Sequence, residues 1–282
     1  MSDIYNRIGF MQGRLSPLIN GRIQIFPWLY WREEFTIAEH YSFRLMEWTL
    51  DQDRLYENPL LTSAGQREIR KLSQSHGIII ASLTGDCFMQ APFWKSQGVE
   101  RETLQRDFLA VAEACASVGI SIIVVPLVDN GRIESTEQED ALIDFLKRQT
   151  MFLSENSLQV VFESDFDPTE MSRFIERLDP IVFGINYDIG NSAALGFSPA
   201  EELAAYGHRI TNVHVKDRKL GGITVSLGSG NADFETVFAS LAKIGYSGNF
   251  ILQTARAADD DHTGVLCRYR DMTAKWLSSY GS

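Results

Sequence analysis

Ile210-Thr-Asn-Val-His-Val-Lys-Asp-Arg218 alternates like a strand and then delivers an imidazole (His214), an ammonium (Lys216), a carboxylate (Asp217) and a guanidinium (Arg218) where a strand should end. A sheet interior rarely tolerates so much charge unless the groups face a ligand, a metal or each other. Chemistry is therefore expected on the rim where strands become loops. Three other apolar segments end in the same way: Val160-Val-Phe-Glu163, Ile185-Asn-Tyr-Asp188 and Phe250-Ile-Leu-Gln253. Each brings one oxygen ligand to its carboxyl end.

Outward from these segments the chain alternates without a break. The first strand is expected over Arg7–Gly13 and leads into a long loop through Pro17, Gly21 and Pro27, with Gln12 and Arg14 on the same rim as His214. A helix over Trp31–Tyr41 precedes a second strand, Phe43–Trp48, which carries Glu47. A helix over Ala64–Ser75 ends at His76-Gly77, where glycine suits the position after a helix C-terminus. Ile78–Leu83 is then a nearly continuous apolar run, as in strands covered on both faces.

The loop Gly85–Gly98 carries Phe88, Phe93 and Trp94, which are expected to be exposed and to form a pocket wall or a subunit contact. A helix over Arg101–Val118, a strand over Ser121–Pro126, a helix over Thr136–Glu155 and a strand over Leu158–Glu163 follow. Asp167-Pro168 and Ser198-Pro199 each pair an N-cap with a first-turn proline. The second of these opens the helix that leads into the 210–218 strand. A helix from Asn231 to a stop at Gly245, a last strand over Asn249–Thr254 and a helix over Val265–Ser279 complete eight strand–helix units. Such alternation implies parallel pairing through right-handed crossovers, and eight units close into a single (β/α)8 barrel over residues 1–282. A doubly wound sheet would want a glycine-rich turn after the first strand, and none is present.

The composition agrees with one large domain of 282 residues, 44% hydrophobic and 22% charged. A net charge of -11 argues against nucleic acid or an anionic membrane as the main partner. No apolar run approaches the roughly 20 residues of a membrane span. The start has no signal-peptide architecture, and the three cysteines have no metal-like spacing, so a cytoplasmic protein with reduced thiols is expected. Cys115 lies on a small-residue helix face and reads as packing.

In a barrel of this kind the active site lies at the carboxyl ends of the strands. Glu163, Asp188, His214 and Gln253 fall on strands five to eight, which are consecutive around the barrel, so they can converge. Two carboxylates, an imidazole and an amide carbonyl suit one divalent cation such as Mn²⁺, Mg²⁺, Co²⁺ or Zn²⁺. Taken singly, each of these residues is more often a cap, a loop hydrogen-bonder or a satisfied core group.

The chain resembles the xylose-isomerase-like TIM-barrel superfamily, which includes sugar-phosphate isomerases and epimerases, inosose dehydratase and the endonuclease IV type of AP endonuclease. The resemblance is carried by Phe162-Glu163, Tyr187-Asp-Ile-Gly-Asn191, Asn212-Val-His-Val-Lys-Asp-Arg218, Leu227-Gly-Ser-Gly-Asn-Ala-Asp-Phe234 and Gly245-Tyr-Ser-Gly248. It implies that Glu163, Asp188 and His214 ligate the metal, with Gln253 fourth. There the chain departs from the sugar epimerases, which usually have glutamate and use two glutamates on opposite faces of the substrate. Glutamine can ligate through its carbonyl oxygen but cannot exchange protons near neutral pH. The histidine usual just past the strand-six Asp is replaced by Gly190-Asn191, and of five histidines only His214 is well placed, which disfavours the endonuclease analogy.

The expected activity is that of a metal-dependent isomerase or epimerase of a small sugar or sugar phosphate. Glu163 acts as base, and Lys216, on the same face as His214, as second acid or as an ion-pair partner of the ligands. Gln12, Arg14, Glu47, Asn191, Arg218 and Arg256 are the substrate-binding candidates, the arginines as forks for a phosphate or carboxylate. Gly228-Ser-Gly230 offers backbone NH groups that suit either an anion or a plain turn. Two alternatives stand beside this reading: dehydration of a keto-polyol, and a catalytically reduced sugar-binding barrel. A homodimer through Phe93-Trp94 is also expected.

Overall fold

The apolar runs pair as parallel strands buried on both faces, because each strand–helix unit lays its helix against the outside of the sheet. The computed structural model describes residues 2–281. Its strands are β1 (Ile8–Met11), β2 (Leu45–Thr49), β3 (Ile79–Thr84), β4 (Ile122–Leu127), β5 (Gln159–Ser164), β6 (Phe183–Asp188), β7 (Ile210–Val215) and β8 (Asn249–Leu252). They close in the order β1-β8-β7-β6-β5-β4-β3-β2, all parallel, as a (β/α)8 barrel.

The period of two along each strand separates two cores. In β2, Met46 and Trp48 join the large shell between sheet and helices, whereas Leu45 faces inward with Met11 and Ile251. The lower interior is apolar. Higher up it becomes a polar plug of Gln12, Glu47, Ser82, Asn186, Asn212 and His214, all nearly or fully buried. Gly9 is required here, because a Cβ would lie 2.8 Å from the Leu45 side chain and 2.9 Å from its carbonyl oxygen.

Helix boundaries follow the local chemistry. Asp167 accepts from the amides of Thr169 and Glu170 to start Pro168–Glu176, and Gly77 and Gly119 end helices Ser63–His76 and Gly98–Val118 in the left-handed region. Ser198, by contrast, makes no side-chain cap on Pro199–Tyr206.

Two expectations are corrected, and for Gly228-Ser-Gly230 the turn is the alternative that holds. The 210–218 segment is not one strand: β7 ends at Val215, and Asp217–Arg218 turn away to pair antiparallel with Thr224–Val225. The amides of Gly228 and Gly230 are occupied, since both donate to the Asp217 carboxylate, joined by Ala232. Phe88, Phe93 and Trp94 are buried, not exposed. Phe93 stacks edge-on against Phe145, 4.7 Å between centroids, and touches Phe108, while Trp94 Nε1 donates to the Gly131 carbonyl. The aromatic argument for a homodimer falls with them, because these rings bury their area within the chain.

Candidate active site

The carboxyl ends of β5, β6 and β7 bring Glu163, Asp188 and His214 together, with one ligand atom from each lying within 4.8 Å of the others. The pairing register sets this meeting. Asp188 lies directly opposite His214, and an irregularity between Ile185 and Asn186 shifts the β6–β7 pairing just before them. Bulges of this kind re-aim side chains next to active sites.

His214 is fully buried and engaged on both nitrogens. Nε2 lies 2.8 Å from Glu47 Oε1, and Nδ1 lies 3.1 Å from Glu163 Oε2 and 3.8 Å from Asp188 Oδ2. Glu47 is itself held by Ser82 Oγ at 2.6 Å and Asn212 Nδ2 at 3.1 Å. Burial works against a charged imidazole, but Glu47 and Glu163 outweigh it and raise the His214 pKa to about 10. For Glu163 burial likewise opposes charge, and the His214 hydrogen bond and charge more than reverse it, so this carboxyl lies below its ordinary range. Burial wins at Asp188, which is raised in spite of Lys216. Asn186 Nδ2 (2.9 Å) and Asn191 Nδ2 (2.6 Å) fix the two Glu163 oxygens, and the Asn191 amide fixes Asp188 Oδ1 at 2.8 Å.

Lys216 completes the cluster. Its Nζ donates to Asp188 Oδ2 (3.2 Å), Asn191 Oδ1 (3.1 Å) and Gln253 Oε1 (3.0 Å), so Gln253, one residue past β8, turns its carbonyl oxygen toward the ligand set. Gly190 makes room for this lysine: a Cβ there would lie 2.6 Å from Lys216 Cγ. The glycine at that position and the lysine on β7's exit are thus one steric solution.

The oxygen and nitrogen donors fit a divalent cation. His214 Nδ1 points at both carboxylates while Nε2 is held by a buried glutamate, the arrangement in which a metal-bound histidine is oriented from behind. The residues that would hold the ion are Glu163, Asp188, His214 and Gln253, with thiolates absent from the set.

A cleft of about 430 Å³ opens above them, lined among others by Asp86, Asp129, Arg132, Glu163, Asp165, Asn191, Lys216, Arg218 and Gln253. Asn191 and Arg218 lie on it. The Arg218 guanidinium is committed to the Gly222 carbonyl and Asn191 Oδ1. Gln12, Arg14, Glu47 and Arg256 do not line the cleft, which corrects the expectation for them. Gln12 lies inside the barrel against the Thr49 amide, and Glu47 lies behind His214. Arg14 donates to the carbonyls of Thr254 (3.1 Å) and Ile23 (2.7 Å), and Arg256 to those of Gly13 and Ser16. These two arginines brace the loops after β1 and β8, which leave main-chain oxygens buried and in need of donors.

Sequence reasoning passed over Asn186, Gln24 and Asp86. Asp86 lies two residues past the end of β3, so the strand-end rule that found Glu163, extended to the first loop residues, could have found it. Gln24 lies mid-loop, where no pattern marks it.

A parallel (β/α)8 barrel with an acidic, histidine-containing cluster at the strand ends defines a class of enzyme-bearing barrels. Residues 35–266 match the family model described as xylose isomerase-like TIM barrel, and the chain belongs to that family. It is 26% identical over 222 residues to an inosose dehydratase of Geobacillus thermodenitrificans, an alignment covering 66% of this chain and 72% of that protein. An L-ribulose-5-phosphate 3-epimerase of Salmonella paratyphi C is 33% identical over 100 residues, 35% of each chain. The solved xylose isomerase domain protein from Planctomyces limnophilus superposes with a TM-score of 0.76 at 14% identity, covering 98% of this chain and 99% of the other, which speaks for the fold. No helix among the described residues is long and apolar enough to cross a membrane.

Proposed function

We propose that this chain is a divalent-cation-assisted isomerase or epimerase of a small sugar, acting by proton transfer beside a carbonyl. The observation that carries this reading is Glu163. Its carboxylate borders the cleft, is held in one orientation by Asn186 and Asn191, and stays ionised despite burial because His214 supports it. A fixed, ionised carboxylate facing a cavity of sugar size is what abstraction of a carbon-bound proton needs. A cation held by Glu163, Asp188, His214 and Gln253 would polarise the carbonyl oxygen and stabilise the negative charge that develops there.

Lys216 has an acceptor for each of its three N–H groups, so we assign it to holding Asp188 and Gln253 and to presenting positive charge, not to donating a proton. The cleft favours an uncharged sugar over a phosphate. Of its cations, Arg132 is paired with Asp165 at 2.5 Å, Arg218 is committed to Gly222 and Asn191, and Lys216 faces the ligands. Asp129 adds a carboxylate on the opposite side of the balance.

Dehydration of a keto-polyol is the second reading, supported by the inosose dehydratase relative and by Gln253, which removes the second glutamate of a two-glutamate epimerisation. The test is incubation of the Mg²⁺-loaded protein with neutral ketoses in D₂O. Deuterium entering the carbon beside the carbonyl without loss of water supports isomerase or epimerase chemistry, and loss of water supports dehydration. Glu163→Gln should abolish exchange by at least about a hundredfold. A Glu163→Gln protein that still exchanges would refute the assignment of the base.

A further inference from the structure

Of the acidic groups on the cleft outside the ligand cluster, Asp165 is paired with Arg132 and Asp129 is exposed, which leaves Asp86 as the buried one without an ion-pair partner among the described residues. Asp86 follows β3, opens the short helix Asp86–Gln90 and is 7% exposed. Its Oδ2 accepts from Gln24 Nε2 at 2.6 Å. No donor among the described residues meets its Oδ1, and that oxygen is not one of the sealed unpaired atoms, so it stays accessible. Gln24 Oε1 in turn accepts from Gln253 Nε2 at 3.0 Å, and Gln253 Oε1 accepts from Lys216. One hydrogen-bonded line thus runs from Asp86 through Gln24 and Gln253 to the ligand cluster.

We propose that Asp86 is the second proton carrier of this cleft, acting on the substrate from the β3 wall while Glu163 acts from β5. The inference rests on the enolisation reading above. Gln253 cannot exchange protons and Lys216 is directed at the ligand residues Asp188, Asn191 and Gln253, so inversion at carbon needs an acid on another wall, and Asp86, which lines the cleft beyond β3, has an oxygen without a donor. The step balances. Glu163 takes the proton from the carbon beside the carbonyl, and the C–H electron pair enters an enediolate. The Asp86 O–H bond then breaks as its proton forms a new C–H bond from the other wall. Asp86 is left ionised and Glu163 protonated, and exchange with water restores both.

The surroundings suit the role. Burial pushes the Asp86 carboxyl up, the Gln24 hydrogen bond opposes this, Asp51 and Glu163 push it further up and Arg14 draws it back, leaving it at about 7. An acid poised there carries and releases protons at neutral pH.

Two measurements on the Mg²⁺-loaded protein test this. The Asp86 carboxyl, assigned through bonds by ¹³C NMR in the wild type, should titrate clearly above the ordinary carboxylate value, because burial disfavours its charged form. A midpoint at the ordinary value of about 3.9 would overturn the proposal. In D₂O with D-tagatose or D-fructose, Asp86→Asn should still take deuterium into substrate while epimer formation falls about a hundredfold or more, and Asp86→Glu should recover part of it. An Asp86→Asn protein that keeps forming epimer, or that loses exchange and epimer equally, would also overturn it. If the wild type exchanges neither sugar, the enolisation reading fails for them and the NMR midpoint alone decides whether Asp86 is a proton carrier.

Discussion

Replacing Lys216 by methionine should tighten binding of a divalent cation. The ammonium lies 3.2 Å from Asp188 Oδ2 and 3.0 Å from Gln253 Oε1, two of the four oxygens and nitrogens that would hold the ion. A cation bound to those oxygens at ~2 Å would come within about 4 Å of the ammonium as it now stands. Two unit charges at that distance repel by about 4 kcal/mol at an effective dielectric of 20, and a divalent ion doubles the figure. Drawing the ammonium back from the ion, with Asn191 Oδ1 still as an acceptor, is cheaper, because it forfeits chiefly the charge-assisted bond to Asp188, worth about 1.5–3 kcal/mol. The smaller cost sets the penalty, so Lys216→Met should bind Mg²⁺ or Mn²⁺ roughly ten- to a hundredfold more tightly. Methionine keeps most of the stem that packs over Gly190, where a Cβ would lie 2.6 Å from Lys216 Cγ. The assay is titration calorimetry on metal-stripped wild type and variant, with thermal melts to show that both are folded. Equal or weaker binding by the variant would refute the reasoning, and would mean that the ammonium and the ion occupy the site together.

Two further outcomes follow from the charges in the cleft. Because the metal-free site holds His214 protonated up to about pH 10, and ligation through Nδ1 needs that lone pair, metal uptake at pH 8 should release about one proton. Calorimetry in Tris and in HEPES measures this, and release of none would contradict the ligand assignment. Asp86 should make stability fall as pH rises, since between about pH 4 and 7 the native state keeps a proton that the unfolded chain has given up. Asp86→Asn should therefore stabilise the protein at pH 8 by no more than about 4 kcal/mol and change it little at pH 4, as denaturant titrations at the two pH values would show.

Much of this molecule was legible from residue order alone. Apolar runs separated by capped helices state a parallel alternating fold, and the position of Glu163, Asp188 and His214 at strand ends places them on one rim, because strand direction in such a barrel is common to all eight strands. Proline and glycine signals marked helix ends for the same local reason. What residue order could not supply was the partner of each polar group. Arg14 and Arg256 look like anion forks until the loops fold and present them with buried carbonyls, and Phe93 and Trp94 look exposed until two distant helices bring Phe108 and Phe145 against them. Glu47 and His214 are 167 residues apart and meet only when the barrel closes. Local periodicity determined the elements and their rim. Closure of the sheet, which joins β1 to β8 and brings Gln24 between Asp86 and Gln253, decided which side chains support the cluster and which remain free to face a substrate.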